Sequence, residues 1–171
     1  MIPVKLVMRK EILSINVKTP VWKAAKLMED RNVGSLLIKR GGSNVGILTE
    51  TDIVQKVVAA GLDPATTQVG DVMSTPLITI EAKESVVDAD ELMERQHIRH
   101  LVVTERGKVV GVASVRDLLF PLQYLLVFAN MDTEKESALM GEEVIQGIKR
   151  ASEKRQRKKP KSPRRRINKS L

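Results

Sequence analysis

The chain carries one pattern twice. Laying residues 7–54 over residues 72–119 with a constant offset of 65 and no gap leaves 14 of 48 positions identical. Val7-Met8 falls on Val72-Met73, Leu27-Met28-Glu29 on Leu92-Met93-Glu94, Val45-Gly46 on Val110-Gly111, and Asp52 on Asp117. Self-similarity at a fixed period is the mark of a duplicated supersecondary unit. Any fold proposed for the first copy must therefore also suit the second.

Both copies read as the same order of elements. A short apolar run, Ile12 to Ile15 or Leu77 to Ile80, predicts a strand. A helix follows. Thr19 is its expected cap in the first copy, with Pro20 in the first turn, and Ser85 with Asp88 forms a capping-box start in the second. Val21, Ala24, Ala25 and Met28, and then Val86, Ala89, Leu92 and Met93, recur at helical spacing and define a buried stripe. Two strands come next, Ser35 to Lys39 with Asn44 to Leu48, and Arg99 to Thr104 with Val109 to Ala113. Gly41-Gly42-Ser43 and Arg106-Gly107-Lys108 supply hairpin-turn chemistry between them. A second helix begins after Thr49 and after Ser114, and Gly61 ends the first of these. The fold class is α/β (α+β), two β-α-β-β-α repeats. A unit of roughly 60 residues is marginal alone, so the copies are expected to pack as a pseudo-two-fold pair with a shared core. The domain reading is repeat 1 over 1–65, repeat 2 over 66–122, a C-terminal helical segment over 123–150 and a basic disordered tail over 151–171.

Composition narrows the function. At 171 residues the chain has no room for a large multi-domain enzyme, and with no cysteine it has neither a disulfide framework, a thiolate nucleophile nor a Cys-ligated zinc. The longest apolar run, Leu118 to Ala129, is interrupted by Pro121 and Gln123, so no membrane span is expected. The N-terminus lacks a secretory signal, and a cytoplasmic location is expected. Four aromatics, Trp22, Phe120, Tyr124 and Phe128, are too few for a base-stacking platform. Met8, Met28, Met73 and Met93 are read as core fillers.

Charge is unevenly spread. Residues 1–148 carry a net −3, whereas 149–171 carry a net +11. The last stretch holds Lys154, Arg155, Arg157, Lys158, Lys159, Lys161, Arg164, Arg165 and Arg166, is nearly free of apolar residues, and is expected to be disordered in isolation. Upstream of it, Leu122, Leu125, Leu126 and Phe128 extend an apolar helix. Leu139, Met140, Val144, Ile145, Ile148 and Ala151 then form a second helical stripe able to dock on the repeats.

Two segments carry the chemistry. Gly46 to Asp52 and Gly111 to Asp117 each place a glycine in a strand, a hydroxyl at its end, and a carboxylate one turn into the next helix. First-turn amides with the positive end of the helix dipole favour a phosphate, Thr49 or Ser114 adds a hydroxyl, and Asp52 or Asp117 can accept from a ribose diol. The same residues also read as helix caps and dipole complements. His97 and His100 straddle a helix-to-strand boundary, and no metal site is expected. No nucleophile, base and oxyanion-donor constellation occurs, so no catalytic residue is assigned.

The duplicated order, GILTETD and GVASVRD closing the two sheets, the Val-Met before each first strand and IRHLVV at 98–103 together resemble a tandem pair of CBS domains over roughly residues 3–122. The module is named after cystathionine β-synthase. The resemblance implies an adenine nucleotide (AMP, ADP or ATP) or S-adenosylmethionine as regulatory ligand in clefts between the repeats, with no cofactor required. It implies phosphate contact for Thr49 and Ser114, ribose contact for Asp52 and Asp117, and phosphate-reaching roles for Arg99 and His100. It places Leu13 at the adenine of the Asp117 cleft and Ile78 at that of the Asp52 cleft. Arg116 adds charge on the Asp117 side, while Gly34, Ser35 and Thr51 occupy the matching positions of copy one. The Asp117 cleft is thus the expected polyphosphate site, and the Asp52 cleft suits a less anionic adenosyl ligand or none. Family members tend to form dimers, so a homodimer is expected. The leading reading is a non-catalytic regulatory module. The alternative is a nucleic-acid-binding protein that uses the basic tail, with the CBS pair as dimerisation scaffold.

Overall fold

The computed structural model describes residues 1–128, 145–150 and 153. The first copy runs β1 (Ser14–Asn16), α1 (Val21–Arg31), β2 (Ser35–Arg40), β3 (Ser43–Thr49) and α2 (Glu50–Ile53), followed directly by a π-helical segment, Val54–Val58. After α3 (Val69–Val72), the second runs β4 (Thr79–Glu81), α4 (Val86–Arg95), β5 (His100–Glu105), β6 (Lys108–Ser114) and α5 (Val115–Phe128). The strands form two three-stranded sheets, ordered β1-β2-β3 and β4-β5-β6. In each sheet the first pair is parallel and the second antiparallel. The parallel pair requires a crossover, which α1 and α4 provide, whereas the antiparallel pair closes through a tight hairpin. Gly41 and Gly42 (φ +56° and +85°), and Arg106 and Gly107 (φ +52° and +75°), supply positive φ at both central turn positions, the geometry whose twist matches the flanking strands. Register shifts by one residue between Ile38 and Lys39 and again between Val103 and Thr104, the same place in both copies.

Helix starts divide the copies. Ser85 and Asp88 form the expected capping box on α4. On α1 the expected cap does not form: Pro20 occupies the N-cap position with extended backbone and makes no side-chain bond. Thr19 is not needed there, because Thr67 O accepts from Val21 N at 3.0 Å and Pro64 O from Trp22 N at 3.1 Å. At the other ends, Asn32 and His97 take matching left-handed conformations (φ +51° and +52°). His97 thus sits where the chain leaves α4, its amide donating to Glu94 O.

Contacts divide the molecule into two compact units that interleave along the chain. Leu13–Pro76 form one; Met1–Ile12 join the described residues from Leu77 onward in the other. These units do not coincide with the sequential spans 1–65 and 66–122. The segment that precedes copy one pairs instead with copy two: Val4 N donates to Glu84 O (2.8 Å), Val86 N to Ile2 O (2.9 Å), and Arg9 and Val112 exchange both backbone bonds (2.8 and 3.0 Å). The segment before copy two does the same for copy one, Ser74 and Ile47 exchanging theirs at 2.8 and 3.0 Å. Glycines permit both approaches. A Cβ on Gly111 would stand 2.7 Å from Arg9 O and 2.7 Å from Met8 Sδ; one on Gly46 would stand 2.6 Å from Met73 Sδ and 3.0 Å from Ser74 O.

Buried apolar residues accordingly fall into two clusters, one per unit. Val21, Ala24, Met28, Leu36, Ile38 and Leu48 centre the first, with Met73 packed against it. Val86, Ala89, Met93, Leu101 and Val103 centre the second, together with Val4 and Met8 from the N-terminal segment. Residues 145–150 are helical, and Ile148, 2% exposed, belongs to the second cluster. Leu139, Met140, Val144, Ala151 and the basic residues from Lys154 to Arg166 lie outside the described residues. Among the described residues, no helix is long and apolar enough to cross a membrane.

Candidate functional site

In the first unit, β3 delivers Thr49 to the start of α2 and the helix turns Asp52 back beneath it. Thr49 N (2.8 Å) and Thr49 Oγ1 (2.6 Å) donate to Asp52 Oδ2, and Asp52 N donates to Thr49 Oγ1 at 3.1 Å. The other carboxylate oxygen is also engaged. Ser74 Oγ donates to Oδ1 at 2.8 Å, and the Lys56 ammonium lies 2.7 Å from it. Lys56 Nζ further donates to Val72 O and Ser74 Oγ, at 3.0 and 3.1 Å. Asp52 is 6% exposed. Burial alone would raise its pKa, but hydrogen bonds from Lys56, Thr49 and Ser74 together outweigh that and hold the carboxyl below the ordinary aspartate value.

The second unit repeats the frame with different neighbours. Ser114 N (2.9 Å) and Ser114 Oγ (2.6 Å) donate to Asp117 Oδ2, and Asp117 is buried. His100 is the direct register partner of Ser114 across β5 and β6, and Arg99 O accepts from Val115 N at 3.1 Å. The first-turn amide of α5 is therefore occupied by backbone and not presented unpaired, as is that of α2, where Glu50 N donates to Gly34 O. Arg116 follows on the exposed side of the helix start. Thus Arg99, His100, Ser114, Arg116 and Asp117 are brought to one strand-to-helix turn, and Thr49 and Asp52 to the other. Leu13 lies in the unit of Asp52, its carbonyl accepting from Leu37 N; Ile78 lies in the unit of Asp117, its carbonyl accepting from Val102 N.

The family model for the CBS domain matches twice, over residues 4–59 and 69–123. The chain belongs to the CBS-domain family. The chain is 33% identical over 115 residues to the CBS domain-containing protein YhcV of Bacillus subtilis, spanning 67% of this chain and 81% of that one. Among solved structures, a conserved protein from Pyrococcus horikoshii is 30% identical with a TM-score of 0.66, covering 78% of this chain and 96% of that one. A hexameric CBS-CP12 protein from bloom-forming cyanobacteria is 25% identical with a TM-score of 0.65, covering 91% and 98%.

Within this CBS pair, sequence reasoning missed three residues. Lys56 is a plain i+4 lysine with nothing but its spacing from Asp52 to single it out. Ser74 and Arg9 lie outside the motif segments, and their relation emerges only from the interleaved units. They are counterparts at the 65-residue offset, and each pairs with the strand that leads to its unit's turn. Where Ser74 adds a hydroxyl to the first unit, Arg9 adds a guanidinium to the second.

Proposed function

We propose that this CBS pair is a non-catalytic regulatory module that binds an adenine nucleotide (AMP, ADP or ATP) or S-adenosylmethionine at the β6-to-α5 turn and passes its occupancy to a partner. The observation that carries this reading is the convergence of basic residues there. Arg9, Arg99, His100 and Arg116 belong to the unit of Ser114 and Asp117, and their counterparts in the other copy, Ser74, Gly34, Ser35 and Thr51, are all uncharged. Charge-assisted hydrogen bonds to phosphate are about twice as strong as neutral ones, so a nucleotide phosphate is the ligand group this set favours. Asp117 accepts from the ribose hydroxyls, and the Ser114 hydroxyl turns from Asp117 to a phosphate oxygen.

A thermal-shift panel of AMP, ADP, ATP and S-adenosylmethionine on the full chain tests this. Ligand at about 100 times its dissociation constant stabilises the fold by roughly 2.7 kcal/mol. Asp117→Ala is expected to remove the shift, and the absence of any shift at millimolar ligand defeats the proposal. Self-association is part of the same reading: Val54 and Val58 are exposed on the helical segment that follows α2, and Leu62 is exposed just beyond its end. Val58→Asp is expected to lower the oligomeric state in sedimentation velocity, and an unchanged state removes this surface from the proposal.

A further inference from the structure

The chain's charge is concentrated in its last 23 residues. From Lys149 to Leu171 they hold 12 Lys and Arg against a single acid, Glu153, whereas residues 1–148 carry a net −3. The density peaks between Lys154 and Arg166, where nine of 13 positions are basic and none is acidic. A block of like charge repels itself and calls for a partner of opposite sign. The stretch also starts from a fixed point on the body. Residues 145–150 are helical, Ile148 is 2% exposed within the second cluster, and Lys149 and Arg150 beside it are exposed. The first two cations are therefore presented to solvent from a docked helix, and the other ten follow them along the chain.

We infer that residues 149–171 bind the phosphate backbone of duplex nucleic acid, with Ile148 anchoring them to the second unit. A duplex carries one negative charge per about 1.7 Å of its axis, and 13 residues reach at most about 45 Å, so an unbroken run of cations meets phosphates along its whole length. Six of the 12 cations are arginines, whose planar guanidinium takes a phosphate through two parallel hydrogen bonds. A segment that lies on a membrane joins its basic residues to an apolar face. Here the only large apolar residues after Ala151 are Ile167 and Leu171, and no aromatic follows Phe128. Phosphate contacts carry no base sequence, so binding is expected to be indifferent to it. The net −3 of residues 1–148 opposes a polyanion, which leaves the tail to set the salt dependence. Duplex binding by the tail goes beyond nucleotide binding at the β6-to-α5 turn and does not depend on it.

The test is fluorescence anisotropy of the full-length chain with random-sequence duplex DNA of about 30 base pairs, in salt from about 50 to 200 mM and without nucleotide. With about six phosphates neutralised at once, the logarithm of affinity is expected to fall against the logarithm of salt with a slope near −5, from about −0.9 per phosphate. Arg164→Gln, Arg165→Gln and Arg166→Gln combined are expected to weaken binding about tenfold and to reduce the slope by about 2. Adding Lys158→Gln, Lys159→Gln and Lys161→Gln is expected to remove measurable binding. All six positions lie outside the described residues and outside both apolar clusters, and the melting temperature is expected to match wild type. A slope near zero, no duplex binding by wild type, or an affinity unchanged in the six-position variant overturns the inference. Tighter binding to phosphatidylserine vesicles than to the duplex also overturns it, by assigning the tail to a membrane surface. Because no nucleotide is present, each of these failures leaves the reading of the β6-to-α5 turn standing.

Discussion

The two strand-to-helix turns share a backbone and differ in what surrounds it. Both place a hydroxyl at the strand end and a carboxylate three residues on, joined by nearly equal bonds of 2.6 Å. Around Asp52 the chain supplies small neutral residues and one ammonium directed at the carboxylate. Around Asp117 it supplies arginines and a histidine. Duplication copied the frame, and divergence at positions beside the motif gave the copies different neighbours: Ser74 and Lys56 on Asp52 in the first, and Arg99, His100 and Arg116 in the unit of Asp117 in the second. The motif residues alone do not distinguish these outcomes, because they are nearly the same in both.

The comparison is most severely broken at its glycines. Gly111→Ala is expected to cost about 3 kcal/mol in urea unfolding and Gly46→Ala about 2 kcal/mol, because overpacking a tight contact costs more when a backbone atom must move. On Gly111 the new methyl meets Arg9 O at 2.7 Å, whereas on Gly46 the closest atom is the flexible Met73 thioether. Equal losses would show that the two covering segments yield alike. Asp52→Ala follows, at about 2 kcal/mol by the same measurement, since it strips partners from Thr49, Ser74 and Lys56 together. A loss within error of zero would mean that these bonds contribute nothing to the fold.

Helix starts sharpen the contrast at smaller scale. Ser85→Ala is expected to cost about 1 kcal/mol through loss of its capping box, and Thr19→Ala only a few tenths, because Thr19 does not cap. Comparable thermal shifts for the two would contradict the assignment of Pro20 as the uncapped start. Asn44 Oδ1 is buried with no hydrogen-bond partner among the described residues, and the second copy has Val109 at that place. Asn44→Val is expected to stabilise by about 0.5 kcal/mol, by removing an unsatisfied acceptor; a destabilised variant would reveal a partner for it.

The smallest effect is one of pH. Asp52 is held below its unfolded value, so its ionisation contributes stability above that value, near 3.8, which is lost as pH falls through the lower folded value. Lys56→Met removes the largest of the interactions that lower the pKa and leaves burial in place, so the folded value rises and the acid-unfolding midpoint moves up by about half a pH unit or less. Circular dichroism along an acid titration reads this, and a midpoint that stays or falls would mean that the ion pair does not govern Asp52.

Much of the fold was legible because it rests on local rules. The apolar stripe through Val86, Ala89 and Met93, the Ser85 and Asp88 box and the hairpin residues at Gly41 and Gly107 all act within a few positions of themselves. The 65-residue period then supported each reading twice. Thr19 failed as a cap because its role depended on Thr67 and Pro64, which are remote in sequence and satisfy the same amides. The candidate site divides in the same way. Thr49 with Asp52 and Ser114 with Asp117 are local pairs and were readable. Ser74 and Arg9 were not, since alignment attaches each to the copy it precedes while the backbone pairs it with the other.

What the sequence determined by itself is the duplicated unit, its order of strands and helices, and the paired hydroxyl and carboxylate at each turn. Hydrophobic period, caps and turn residues are set by near neighbours, and near neighbours are written next to one another. Tertiary structure alone decided which segment covers which copy and therefore which side chains surround each carboxylate. That choice depends on backbone pairing between distant residues and on the space left by Gly46 and Gly111. It placed Ser74 beside Asp52, where Lys56 also reaches the carboxylate, and Arg9 in the unit of Asp117.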